Sequence, residues 1–302
     1  MKRAFPESNL DLAADNPHGV EMDETQVVRP LKAYKNQQFL LSHRARMIRI
    51  MAEHEETMER LEANGVRDFV MFFSSARGRS HAQLAEQRAA AQAKLEAASD
   101  EKAKSDAQKT LAKLAKIEWM CPMYAKVQAL AARVTKWSMT SFPDPEAKRM
   151  VVATGGGPGL MEAANRGAWE VDRRRSIGMG ISLPFEPGLN PYCTPQLAFE
   201  FHYFFMRKFM MVSHTKALVA CPGGFGTCDE LFEIMTLIQT GKHPTIPIVL
   251  LGEEYWSSII NWEAMAAKGV IVMQDLANVL ITDDTDLAFD HITDSKWLAA
   301  DD

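Results

Sequence analysis

Short apolar runs alternate with segments of helical spacing along most of this chain. DFVMFF (68–73), MVVATGG (150–156), SIGMGISLP (176–184), KALVACPGG (216–224), IPIVLLG (246–252) and NVLITD (278–283) are continuous apolar stretches. Near-unbroken runs of this kind suit parallel strands buried on both faces. Between them, residues 158–170, 226–241, 256–268 and 285–299 have helical character, with Pro158 early in the first and Gly241 closing the second. The aromatic-rich stretch from Pro195 to Thr215 reads as partly helical around Phe204 to Val212. Strand and helix in alternation predict right-handed βαβ units, an α/β class and a parallel sheet covered on both faces.

The N-terminal part has a different pattern. Residues 1 to about 40 are polar and irregular, with Pro6, Pro17 and Pro30, and read as an arm. A helix is predicted from Ser42 to Ala63, with Ser42 as its N-cap and Gly65 as its terminator. Met47, Ile50, Met51, Met58 and Leu61 keep to one face of it. We therefore divide the chain into an arm and helix over 1–66 and a main domain over 67–302. Within the main domain, residues of about 80–117 are almost all strong helix formers, with Ala98-Ser99-Asp100 as a turn. They predict an inserted helical hairpin projecting from the body, with one long solvated helix as the alternative. A further helix is predicted over 123–137.

Composition narrows the classes. The net charge of −5 argues against a protein that coats nucleic acid. No apolar run approaches the roughly 20 residues of a membrane span, and the first residues, MKRAFPESNL, lack the apolar core of a signal peptide. Of the 4 cysteines none forms a Cys-x-x-Cys pair, and the 8 histidines form no ligating cluster. We expect a cytoplasmic protein with no metal, no nucleic-acid partner and no membrane partner.

The candidate chemistry lies where predicted strands end. One ends in Ser74-Ser75-Ala76-Arg77-Gly78, one in Gly155-Gly156-Gly157-Pro158-Gly159, and one in Pro222-Gly223-Gly224-Phe225-Gly226-Thr227. The last two run directly into helices, whose free N–H groups and partial positive charge suit phosphate. In an open α/β sheet all three loops share the carboxyl edge, where ligands bind. The set predicts a phosphorylated ligand. A dinucleotide is disfavoured, because position 160 is Leu and no acidic residue ends the 176–184 strand. A Walker A lysine is absent as well.

Asp229 and Glu230 fall in the first turn of the helix after the third loop. A carboxylate this near a phosphate site has a chemical use: holding a ribose hydroxyl, orienting water, or stabilising an oxocarbenium-like transition state. Glu233 reads as structural. Arg207 lies in an apolar segment, where a buried charge needs a partner; Lys208 reads as solvated, and Arg77 as either surface or substrate-binding.

PGGFGTCDE (222–230), GGGPGLMEAANRGA (155–168) and SSARG (74–78), in this order, resemble the LOG ("Lonely guy") family, many of whose members are labelled lysine decarboxylase-like. The resemblance spans roughly residues 67–295. It implies a Rossmann-like, doubly wound sheet, a homodimer or larger homo-oligomer, and a phosphoribohydrolase acting on nucleoside 5′-monophosphates without a cofactor. By motif match the catalytic pair would be Arg207 and Glu230. Substrate would be held by Ser75 and Arg77 of the first loop, Gly156, Gly157 and Glu162 of the second, and Pro222, Gly223, Gly224, Gly226 and Thr227 of the third. The 80–117 hairpin and the N-terminal region are additions to the short plant-type pattern. Lysine decarboxylation would need pyridoxal phosphate on a lysine; Ser213-His214-Thr215-Lys216 has the wrong spacing for that attachment. The runner-up to the hydrolase is a nucleotide-binding sensor that signals through the hairpin without turnover. A weaker reading is a structural partner protein whose glycine loops are only turns.

Overall fold

The computed structural model describes residues 30–142, 144, 146–182 and 188–298. The predicted arm up to residue 29 lies outside them. The chain divides into a unit ending at Arg49 and a unit beginning at Ile50.

In the first unit a 3-10 turn, Ala33–Lys35, leads into α1 (Gln37–Leu41). The Asn36 side chain caps α1 by accepting from the Phe39 N–H at 3.0 Å. The helix expected to start at Ser42 starts later: a 3-10 turn, His43–Ala45, intervenes, and α2 runs Arg46–Ala63. Ser42 makes no cap hydrogen bond. Its carbonyl and that of Leu40 instead accept from the Arg49 guanidinium at 2.7 and 2.6 Å.

In the second unit α2 ends at Ala63, before Gly65 at φ +67°. Seven parallel strands follow: β1 (Phe69–Phe73), β2 (Val151–Thr154), β3 (Ser176–Ile181), β4 (Ala198–Phe201), β5 (Thr215–Ala220), β6 (Ile248–Leu251) and β7 (Val279–Thr282). Their order is β4-β3-β2-β1-β5-β6-β7. The chain winds outward from β1 to β4, then returns to β5 on the other side of β1, with Phe72 in register with both Thr154 and Val219. That reversal makes β1/β5 the topological switch point of a Rossmann-like, doubly wound sheet. Strand β4 was not among the expected strands. AFEF is short and alternating, as an edge strand is, and lies in an aromatic stretch whose helical part dominates its pattern.

The central strands are largely apolar because both faces are covered. Val70 and Phe72 of β1 pack on α5 (Cys121–Ser141), α6 (Leu160–Val171) and α11 (Thr285–Thr293). Phe69, Met71 and Phe73 pack on the opposite side with Leu61 of α2, α7 (Phe204–Ser213), α8 (Phe225–Gln239), α9 (Glu253–Ile259) and α10 (Trp262–Ala267). The expected 256–268 helix is thus two, restarted by Asn261, whose side chain accepts from the Ala264 N–H at 2.8 Å. The last expected helix also divides, into α11 and α12 (Ser295–Leu298), at Asp294.

The 80–117 segment is a hairpin of two helices, α3 (His81–Ala97) and α4 (Glu101–Ile117), not one long helix. Ser80 and Gln83 form a reciprocal capping box, and Asp100 accepts from the Ala103 N–H at 2.7 Å. Leu84, Ala91 and Leu114 of the hairpin form a small apolar cluster with Cys121 of α5. No helix among the described residues is long and apolar enough to cross a membrane.

Candidate functional site

The three loops meet at the carboxyl ends of β1, β2 and β5, tied by backbone hydrogen bonds. Ser75 N–H donates to the Pro222 carbonyl at 3.1 Å, and Leu160 N–H donates to the Ser75 carbonyl at 3.0 Å. The sheet order brings these segments together across more than 140 positions of sequence.

The loop after β2 is shaped by its glycines. Pro158, expected inside the helix, lies before it, because Gly159 at φ +78° is the N-cap of α6. A Cβ there would lie 2.5 Å from the Ser75 carbonyl oxygen, so the first two loops approach closely only with glycine at this position. Asn190 braces the same loop, its amide donating to the Gly156 and Gly157 carbonyls at 3.0 Å each and to Asn165 Oδ1 at 2.9 Å. Nothing in the sequence singled out Asn190; its role comes from the path of the chain after β3.

In the loop after β5, Thr227 is buried with its side chain against Gly223. Nothing stands within 4 Å of where a Cβ would project from Gly224 or Gly226. These open positions begin α8, where unpaired N–H groups favour an anion. The Tyr255 hydroxyl of α9 donates to the Gly223 carbonyl and fixes the loop from below. On the first loop, the Ser75 hydroxyl accepts from the Arg77 N–H at 3.1 Å, and the Arg77 side chain is exposed. Glu162 is already engaged: its Oε1 accepts from Gln83 Nε2 at 2.8 Å and from the Tyr124 hydroxyl at 3.1 Å. It ties the root of the hairpin to the first turn of α6.

Arg207 and Glu230 meet beside the glycine loops. Their guanidinium and carboxylate are 3.4 Å apart, with side chains only 12% and 14% exposed. Arg207 Nε donates to the Met179 carbonyl of β3 at 2.8 Å. Its Nη2 lies 2.5 Å from where a Cβ of residue 155 would stand, so Gly155 makes the room for it. Burial pushes the Glu230 carboxyl up to about 7, against the pull of Arg207; Asp229 and Glu233 push the same way as burial. A carboxyl poised there exchanges a proton at neutral pH, as a general acid or base must.

Lys208, expected to be solvated, is not. It is 19% exposed and ion-paired with Asp229 at 3.0 Å and Glu233 at 2.9 Å. Helical spacing on α7 and α8 decides this, since the face that buries Met210 and Met211 leaves Lys208 against α8. Among the described residues no group of three or more His, Cys, Asp or Glu is placed to hold a metal ion.

The fold and site therefore define an α/β protein with two glycine loops that open helices beside a buried Arg–Glu pair. The chain matches the family model described as possible lysine decarboxylase over residues 161–292. It is 32% identical over 77 residues to the cytokinin riboside 5′-monophosphate phosphoribohydrolase LOG1 of Arabidopsis thaliana, a match covering 25% of this chain and 36% of that one. It is 31% identical over 84 residues to the enzyme of the same name from Rhodococcoides fascians, covering 28% of this chain and 42% of that one. A probable LOG4 from Oryza sativa subsp. japonica is 34% identical over 92 residues, covering 27% and 40%. The chain thus matches well under half the length of these curated relatives. A solved X-ray structure titled TM1055 aligns with 24% identity over 43% of this chain and 63% of that one, with a TM-score of 0.32. The family model and the curated relatives bear out the resemblance to the LOG family.

Proposed function

We propose that the protein hydrolyses the N-glycosidic bond of a nucleoside 5′-monophosphate, AMP or a related purine nucleotide, to free base and ribose 5-phosphate. The observation that carries this reading is the buried Arg207–Glu230 pair beside two glycine loops that open helix N-termini. The names of the matched relatives support the same reaction class.

In this reading the 5′-phosphate is a binding handle at Gly224, Gly226 and the start of α8, with the second loop beside it. Binding energy from that remote group is spent on holding the ribose against the carboxylate. As the C1′–N bond breaks, positive charge grows on the ribose ring, and ionised Glu230 stabilises it and takes a proton from the attacking water. The hydroxyl of that water goes to C1′ and a proton to the departing base. Arg207 orients Glu230 and keeps its carboxylate in place. Water is the nucleophile, so the scheme calls for no metal or organic cofactor.

The test is incubation with a panel of nucleoside 5′-monophosphates, followed by chromatography for base and ribose 5-phosphate. Release of base that is lost in Glu230→Gln supports the reading; release at the wild-type rate in that variant removes it. One observation favours the sensor as a second reading: Gln83 and Tyr124 link the hairpin root and α5 to α6 through Glu162. A sensor would gain about 2.7 kcal/mol at a nucleotide concentration 100 times Kd, with no base released. The resemblance also implies a homo-oligomer. The exposed Phe204, Phe205 and Phe209 on α7 support self-association, which sedimentation at several concentrations tests.

A further inference from the structure

The Arg207–Glu230 pair does not stand alone. The dipeptide Arg207-Lys208 of α7 faces three carboxylates of α8: Asp229, Glu230 and Glu233. Two cations therefore meet three anions in a partly buried cluster, and one proton more or less changes its balance. We propose that Lys208 is a positioning residue that gathers Asp229 and Glu233, leaving the Glu230 carboxyl to Arg207 and to the reaction. This rests on the hydrolase reading and extends it to the ionisation of the same site.

The geometry separates the two cations by role. Arg207 is pinned on its far side by the Met179 carbonyl and packs against Gly155, so it belongs to the cleft. Lys208 has its ammonium within 3.0 Å of one carboxylate oxygen of Asp229 and of one of Glu233. A compact ammonium on a flexible stem can bridge two carboxylates one helical turn apart. The positions of Asp229 and Glu233, four apart on α8, match this bridge. Among the described residues, Arg207 and Lys208 from α7 favour the ionised form of Glu230, and Asp229 and Glu233 from its own helix oppose it. Without Lys208, one cation would serve three carboxylates, and Glu230 would keep its proton to higher pH.

The experiment follows the Glu230 carboxyl by ¹³C NMR titration, its signal assigned by loss in Glu230→Gln, alongside the pH profile of kcat/KM with AMP. In Lys208→Met the midpoint and the acidic limb of the profile are both expected to rise by about one pH unit, within the range of a nearby charge. Activity then returns toward wild type above the shifted midpoint. Asp229→Asn is expected to move both downward and keeps the test available if Lys208→Met fails to fold; Lys208→Arg should retain most of the wild-type profile. A Glu230 midpoint unmoved in folded Lys208→Met or in Asp229→Asn overturns the proposal, as does a loss of activity equal at every pH. The two readings fail separately. A shifted midpoint with no hydrolysis of any nucleotide keeps the electrostatic role of Lys208 and removes the hydrolase.

Discussion

The α3–α4 hairpin and the α7–α8 pair handle charge in opposite ways. In the hairpin, Leu84, Ala91 and Leu114 are buried, and the ions lie outside as Lys104–Glu101, Lys109–Asp106 and Arg88–Glu118. Each side chain follows its solvation preference. On α7 the order is inverted: Phe204, Phe205 and Phe209 are 56%, 51% and 52% exposed, while the neighbouring Arg207 and Lys208 are mostly buried among carboxylates. Taking charges from water costs free energy unless they are well paired. A helix that does this while leaving phenylalanines in solvent is shaped by something other than its own stability. The comparison supports the proposal that the chemistry belongs to the inverted pair rather than to the hairpin.

The sharpest way to break this comparison is to remove one charge from each region. Glu230→Gln is expected to lower kcat for base release by roughly 10²–10⁴, the usual worth of a positioned acid or base. Chromatographic product analysis reads this directly, and a loss below tenfold would mean that the inversion on α7 has another cause. Next in size is Gly155→Ala, which places a methyl group against the Arg207 guanidinium. It should cost about 10²-fold in kcat/KM through misplacement, with the circular dichroism spectrum unchanged.

Smaller and opposite in sign is the effect on stability. The Glu230 carboxyl lies higher in the folded protein, at about 7, than its ordinary value of 4.5 because burial disfavours the charge. The folded state then holds its proton more tightly than the unfolded state. The Glu230 contribution to stability therefore falls as pH rises from about 4.5 through 7 and is level above that. Glu230→Gln removes that loss, so the variant should gain Tm over wild type at pH 8 relative to the difference at pH 5. A difference in Tm that does not change with pH would show that this carboxyl is not held away from water. Smallest of all is Arg88→Ala. The Arg88–Glu118 pair is exposed, and screening by solvent leaves such pairs little net effect. Tm and kcat should both stay close to wild type, and a marked loss of activity would mean that the hairpin takes part in the reaction.

Much of the fold could be read from the chain because buried parallel strands leave a continuous apolar signature. Six of the seven strands and both hairpin helices lie where the pattern put them. The missed strand β4 is an edge strand of four residues whose pairing with β3 is its reason to exist. The late start of α2 and the breaks at Ile260–Asn261 and at Asp294 were hidden for a related reason. Local capping and tertiary packing decide such ends, and helical spacing runs across them. At the site, the glycine loops and the Arg207 and Glu230 positions were visible as motifs. The pairing of Lys208 with Asp229 and Glu233, and the brace from Asn190, were not.

By itself the sequence determined the class of fold, the three loops and the types of chemical group available, because periodicity and glycine placement are local properties written along the chain. Only the tertiary structure decided which groups meet. Arg207 finds Glu230 because α7 and α8 flank β5 on one face of the sheet; Ser75 finds Leu160 because β1 lies between β2 and β5. The high proton affinity of Glu230 belongs to this second level as well. It comes from burial and from the charges of neighbours on two helices, and those exist only once the chain has folded.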